Sequence, residues 1–324
     1  MKILIVGGGG MIGQKLLARL AVDGRLGDRE IAEVTLFDVV PATHPVTPFT
    51  VNVLTGDVAD AATVTGLISA QPDVIFHLAA IVSGEAEADF DKGYRINLDG
   101  TRLLFDAARV IPDYVPRVVF TSSIAVFGAP FPESIGDEFH NTPLTSYGTQ
   151  KTIGELLLSD FTRRGMLDGI SIRLPTICVR PGAPNKAASG FFSNIIREPL
   201  AGYEAVLPVT EDVRHWHASP RAAVEFLLHA ATIAGQQIGA RRSLTLPGIS
   251  VTVGEQIESL RRVAGDKVVA RIRHEPDAAI IKMVAGWPQQ FDADRASHLG
   301  FRAEHSFDEI IRVHLEDELN GVIK

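Results

Sequence analysis

A chain of 324 residues with 46% hydrophobic and 22% charged side chains is long enough to bury a full core and too apolar to be disordered or of low complexity. Its 31 basic against 39 acidic residues leave a net charge of −8, which offers no footprint for nucleic acid. Cys178 is the single cysteine, so an internal disulfide and any multi-cysteine metal site are excluded, in keeping with a reducing cytoplasm.

The opening run Met1 to Val6 meets glycine too soon for a signal-peptide core, and no later apolar run is long enough to span a bilayer. Ile3 to Val6 reads as a short buried strand and Gly7-Gly8-Gly9-Gly10-Met11-Ile12-Gly13 as a tight turn. Gln14 to Val22, with Leu16, Leu17 and Leu20 at helical spacing, reads as an amphipathic helix. Strand, glycine turn and helix together make a dinucleotide site: the backbone can approach a pyrophosphate closely, and the helix start receives its charge. Both Gly8-x-Gly10-x-x-Gly13 and Gly7-x-x-Gly10-x-x-Gly13 fit, and spacing alone does not choose between them.

Val34 to Asp38 is the second strand, with an acid at its end placed to accept hydrogen bonds from ribose hydroxyls and to repel a 2′-phosphate, so NAD is favoured over NADP. Phe49 to Leu54 is a third strand, leading to Asp57 and Val58 at the sheet edge beside the adenine. Ala61 to Ala70 is helical. Val74 to Ala80 is a buried fourth strand whose exit, Leu78-Ala79-Ala80, leaves room for a cofactor; His77 within it reads as a core histidine. A helix runs to about Val110 and carries Asn97, and Arg117 to Ser123 is the fifth strand.

Ser146 to Phe161 is a helix on which Tyr147 and Lys151, four residues apart, share a face. A phenol is a poor base at neutral pH, and a fixed ammonium nearby favours its charged form. Ile170 to Leu174 is the sixth strand. Beyond it come a connection through Pro181 and Pro184, helices near Ser189 to Leu200 and Ser219 to Ala231, short strands around Val206 and Trp216, and further helices over Val253 to Val263 and Phe307 to Leu319. Strands alternating with helices imply an α/β fold, a doubly wound parallel sheet. The expected division is 1–175 as the NAD-binding domain and 176–324 as mainly a smaller substrate lobe, with 243–247 a candidate to rejoin the sheet. His215 and His217 are expected to face opposite sides of a presumed strand, which would keep them from sharing a metal; no metal site is expected.

These residues together resemble the extended short-chain dehydrogenase/reductase family, which includes sugar-nucleotide epimerases and dehydratases. The resemblance spans nearly the whole chain: Gly7, Gly10 and Gly13; Asp38; Asp57-Val58; His77-Leu78-Ala79-Ala80; Asn97; Thr121-Ser122-Ser123; and Tyr147 with Lys151. It implies that Tyr147 is the acid/base and that Lys151 holds the nicotinamide ribose while depressing the phenol pKa. It further implies that Ser123 orients the substrate oxygen, with Ser122 an adjacent cofactor contact and Met11, Ile12, Asn97 and Pro175 cofactor neighbours. Two departures stand out. Dehydratases carry Asp-Glu where this chain has Ser123-Ile124, and epimerases place an asparagine after strand six where this chain reads Arg173-Leu174-Pro175-Thr176.

The back half, with Leu174 to Gly182 and Arg214 to Pro220, is similar to a branch that oxidises C2 of a four-carbon sugar acid with NAD. A small carboxylate needs a buried cation, and Arg180 and Arg214, with Thr176, are the candidate substrate ligands. Competing readings are a nucleotide-sugar epimerase that retains its NAD and a non-catalytic NAD sensor. The resemblance also implies a homodimer.

Overall fold

The computed structural model describes residues 1–182 and 189–324; the expected turn at Pro184 lies outside the described residues. Seven strands form the central sheet: β1 (Lys2–Val6), β2 (Glu33–Asp38), β3 (Thr50–Thr55), β4 (Val74–His77), β5 (Arg117–Ser123), β6 (Asp168–Leu174) and, from the back half, β9 (Ser243–Thr245). Their order is β9-β6-β5-β4-β1-β2-β3, and every pairing is parallel. The strand order reverses between β1 and β4, which is where open parallel sheets receive ligands at their carboxyl ends.

The sheet is parallel because helices cover both faces, and the side-chain alternation along β1 shows how. Ile3 and Ile5 pack with Leu16, Leu17 and Leu20 of α1 (Met11–Asp23) and Phe226 and Leu227 of α6 (Pro220–Thr232). Leu4 and Val6 pack on the other face with Leu67 and Ile68 of α2 (Ala61–Ser69), Leu104 and Phe105 of α3 (Gly100–Arg109), and Leu158 of α4 (Ser146–Arg163). Phe90–Gly93, a wider π turn over Tyr94–Asp99 and α3 form one nearly continuous helical run.

The back half builds a second apolar cluster from α5 (Gly190–Leu200), α7 (Val253–Ala264) and α8 (Phe307–Leu319), through Phe192, Ile196, Leu260 and Ile310 among others. A small sheet joins the two halves: β7 (Thr176–Ile177) lies parallel to β8 (Arg214–Ala218), which pairs antiparallel with β10 (Ile249–Thr252). On β8 the expectation for His215 and His217 is overturned. Residues two apart on a strand share a face, and the two imidazoles meet at 5.4 Å between centroids, both packed against Phe192. Among the described residues no cluster of three His, Cys, Asp or Glu side chains is arranged to hold a metal ion, and no helix is long and apolar enough to cross a membrane.

Candidate active site

At the carboxyl edge of the sheet, a cavity of about 340 Å³ is walled by the glycine turn, the exits of β4 and β5, the first turn of α4 and the segment from Leu174 to Arg180. Three local features shape it. Gly7 adopts a left-handed φ of +95°, and a Cβ there would fall 2.7 Å from the Ala79 nitrogen. A Cβ on Gly13 would fall 2.4 Å from the Gly7 carbonyl oxygen, so helix α1 can start this close to β1 only with glycine at both positions. Gly7, Gly10 and Gly13 all wall the cavity, in keeping with the Gly7-x-x-Gly10-x-x-Gly13 reading. Gly10 caps α1 with no side chain bonded to the helix start, and an uncapped N-terminus facing a cavity is suited to receive an anion such as a pyrophosphate.

Asp38 stands over this turn. Its carboxylate accepts from the Gly9 amide at 2.9 Å and from Val39 at 2.7 Å, which fixes the side chain beside the glycine loop. Those residues fit NAD: a helix start for the diphosphate and, next to it, an acid of the kind that accepts ribose hydroxyls.

At the other end of the cavity, Thr145 caps α4 by accepting from the Gly148 amide. A Cβ on Gly148 would lie 2.1 Å from the Ala125 carbonyl oxygen. The helix therefore presses onto the turn that follows Ser123 and brings Tyr147 to the same wall as Ser123. Burial pushes the Tyr147 phenol up to about 12, opposed by the Ser123 hydroxyl and the Arg180 guanidinium. Burial also pulls Lys151 down to about 8, opposed by Glu155. Lys151 donates to the Thr121 carbonyl at 2.8 Å and lies 4.8 Å from the Phe120 ring centroid and 5.7 Å from that of Tyr147. In this arrangement Arg180 also acts on the phenol, beside the neighbouring Lys151.

Arg180 is largely buried on the cavity wall. Its guanidinium donates to the Ile177 carbonyl at 3.0 Å and to Ser189 Oγ at 2.5 Å, and among the described residues it has no carboxylate partner. Arg214 is different. It is a third exposed, donates to the Ser250 carbonyl at 3.0 Å and pairs with Glu255 at 3.2 Å, away from the cavity. The candidacy of Arg214 as a substrate ligand is corrected: its position at the start of β8 ties it to β10 and the cap of α7.

Of the other expected contacts, Met11, Ile12, Leu78, Ala80, Ser122, Pro175 and Thr176 line the cavity with Gly7, Gly10 and Gly13. Ala79, Asp57, Val58 and Asn97 do not. Val58 is core, packed against Gly100; Asp57 pairs with Arg95 at 2.5 Å. Asn97 is fully engaged, accepting from the Ile81 amide at 2.9 Å and donating to the Ile81 carbonyl and to Gln150. It braces the loop after β4 from behind. Ser122 lines the wall, yet its hydroxyl donates to Glu155, which also holds Arg173 through two bonds of 2.9 and 2.7 Å and Asn141 at 3.0 Å. His77 is buried, bonded to Thr101 and pushed down to about 3, chiefly by burial. Sequence reasoning did not assign Ile81, Val82, Ser83, Thr121, Leu174, Ile177 and Ser189 as wall residues; of these, Thr121 and Leu174, near or at the carboxyl ends of readable strands, carried a signal for it.

The model of the NAD dependent epimerase/dehydratase family matches residues 3–230. The chain is 48% identical to a D-erythronate dehydrogenase from Cupriavidus necator over 98% of both chains. It is 40% identical to a D-erythronate dehydrogenase from Haemophilus influenzae over 98% of this chain and 100% of that one. Among solved structures, the nucleoside-diphosphate-sugar epimerase from Agrobacterium tumefaciens superposes with a TM-score of 0.98 at 62% identity, covering 100% of this chain and 96% of that one. An L-threonine 3-dehydrogenase from Trypanosoma brucei, 24% identical over 99% and 98% of the two chains, shares the fold with a TM-score of 0.85.

Proposed function

The chain belongs to the NAD dependent epimerase/dehydratase family, and on that premise we propose that it oxidises the C2 hydroxyl of a small sugar acid, D-erythronate foremost, to the 2-keto acid. It is an NAD-dependent oxidoreductase. The observation that carries the substrate class is Arg180, a part-buried guanidinium on the wall it shares with Tyr147 and Ser123, with no carboxylate partner among the described residues. A donor-only fork left without an anion is matched by a substrate carboxylate. The two relatives named D-erythronate dehydrogenase support the same class.

In this reading Gly7, Gly10, Met11, Ile12 and Gly13 receive the NAD diphosphate and Asp38 the ribose. Bound NAD supplies the two-electron acceptor. Arg180 holds the carboxylate, Ser123 steadies the reacting oxygen, and Tyr147 Oη takes the hydroxyl proton. Lys151, buried beside the phenol, keeps a positive charge available for the phenolate. Residues 1–175 serve as the NAD-binding domain and 176–324 as mainly the substrate lobe. A cytoplasmic homodimer belongs to the same proposal, and sedimentation analysis tests its stoichiometry.

The name of the Agrobacterium structure favours a second reading, a nucleotide-sugar epimerase. Against it, the stretch after β6 offers Pro175-Thr176 where epimerases have asparagine, and Arg173 near the end of β6 is bonded to Glu155 and stacked on Phe127 at 4.9 Å. Purified protein with NAD, offered four-carbon aldonic acids, uronic acids and UDP-hexoses, separates the readings. NADH formed with an aldonate is expected; isomerised UDP-sugar without net NADH would replace the proposal, and neither product would leave a sensor. Tyr147→Phe is expected to bind NAD normally and lose turnover by at least a hundredfold.

A further inference from the structure

Thr176 lies on the cavity wall next to Pro175, in the same cavity that Arg180 lines. Its hydroxyl oxygen is 2.7 Å from Nε2 of His215 on the neighbouring strand β8. The other ring nitrogen of His215, Nδ1, is 2.9 Å from the Pro288 carbonyl oxygen. A carbonyl can only accept, so Nδ1 carries a hydrogen. Burial draws His215 down to about 4, so the ring is neutral near pH 7 and Nε2 holds a lone pair. It follows that Thr176 donates its hydroxyl hydrogen to His215 and keeps only lone pairs for any other partner. The ring cannot readily turn to change this: it is 3% exposed, stacked on Phe192 at 5.2 Å with planes 5° apart, and packed against Trp287 at 5.3 Å.

We propose that Thr176, set as an obligate hydrogen-bond acceptor by His215 and the Pro288 carbonyl, selects substrates that carry a hydroxyl donor beyond the reacting carbon. This rests on the sugar-acid reading above and deepens it. Arg180 has only donors and suits the carboxylate; Thr176 offers only an acceptor and suits a neighbouring alcohol. The pair distinguishes a polyhydroxy acid from a 2-hydroxy acid that ends in an alkyl chain, because the alkyl analogue leaves the Thr176 oxygen without a donor. His215 is a positioning residue that acts through Thr176. The same acceptor chemistry suits one other donor, the carboxamide of NAD, and the test separates the two.

The experiment compares kcat/KM for a 2,3-dihydroxy acid and for its 3-deoxy counterpart, and measures NAD affinity by calorimetry, in the wild type, Thr176→Ser, Thr176→Val and His215→Phe. The wild type is expected to prefer the dihydroxy acid about ten- to a hundredfold. Thr176→Ser keeps the preference, and Thr176→Val reduces it to within about threefold with unchanged NAD affinity. His215→Phe, which retains the stacking but frees the Thr176 hydroxyl to rotate, lowers the preference with a larger effect on KM than on kcat. Should His215→Phe fail to fold, the two Thr176 variants carry the decision. A preference unchanged in Thr176→Val overturns the inference alone, and so does a loss of NAD affinity without loss of preference, which assigns the acceptor to the carboxamide. A wild type that oxidises neither acid overturns the sugar-acid reading and the inference with it.

Discussion

Glu155 is 3% exposed and sits beneath the cavity, where it accepts from Ser122, Asn141 and twice from Arg173, whose side chain is 11% exposed. Replacing it by leucine removes the carboxylate and leaves the largely buried Arg173 charge with only the neutral acceptors Asn141 and Thr245. Breaking such a pair on one side costs about 3–5 kcal/mol, because the survivor keeps its full desolvation penalty. With an unfolding entropy of about 2.1 cal/mol/K per residue, 324 residues translate that cost into a fall in Tm of roughly 4–7 °C. Removing both charges is different. Glu155→Leu/Arg173→Leu leaves no unpaired ion, and such replacements are often neutral, so the double variant should recover most of the loss. Denaturant unfolding followed by circular dichroism measures all three proteins. A single variant within about 1 kcal/mol of wild type, or a double variant less stable than the single, would refute the view that Arg173 is held in place by Glu155.

Three further outcomes test the site. Between pH 8 and 10.5 the folded chain, with Lys151 drawn down from 10.5 to about 8, binds fewer protons than the unfolded chain, so stability rises with pH across that window. Relative to Lys151→Met, wild type should gain about 3 kcal/mol in urea unfolding between those limits; a flat difference would mean that Lys151 is well solvated. Gly13→Ala puts a methyl group 2.4 Å from the Gly7 carbonyl and is expected to weaken NAD at least tenfold by calorimetry, with near-normal affinity refuting the cradle. Asp38→Ala should weaken NAD about tenfold and narrow its advantage over NADP; an unchanged ratio would detach Asp38 from the ribose.

The features legible in the sequence were those set by local chemistry. Strand β1, the glycine turn and α1 follow from an apolar run, residues that permit a sharp approach, and a 3.6-residue period. Tyr147 and Lys151 share a face by spacing alone. What escaped depended on tertiary partners. Arg180 and Arg214 are equivalent in sequence, yet one is part-buried on the cavity wall and the other is bonded to Ser250 and Glu255. Asn97 and Ser122 carry the motif, but their side-chain atoms are taken by Ile81, Gln150 and Glu155. Ile81 to Ser83 reach the wall through a loop with no periodicity to read. The error at His215 and His217 was one of register: a two-residue period places them together, and that shared face supplies the partner of Thr176.

Arg180 has two consequences for the proposed chemistry that act at different moments. Without substrate, its charge is one of the two influences that restrain the burial-driven rise of the Tyr147 phenol toward about 12. A carboxylate bound to the guanidinium would cancel much of that field. The phenol would then rise further, leaving less phenolate near pH 7 unless another cation compensates. Among the described residues, Lys151 is the other positive charge placed beside the phenol, and Glu155 helps to keep it protonated. Substrate binding would in this way transfer the task of stabilising the phenolate from Arg180 to Lys151. The preference for acids would then reside mainly in KM, through the pairing of the carboxylate with Arg180, while Lys151 supports the phenolate in turnover.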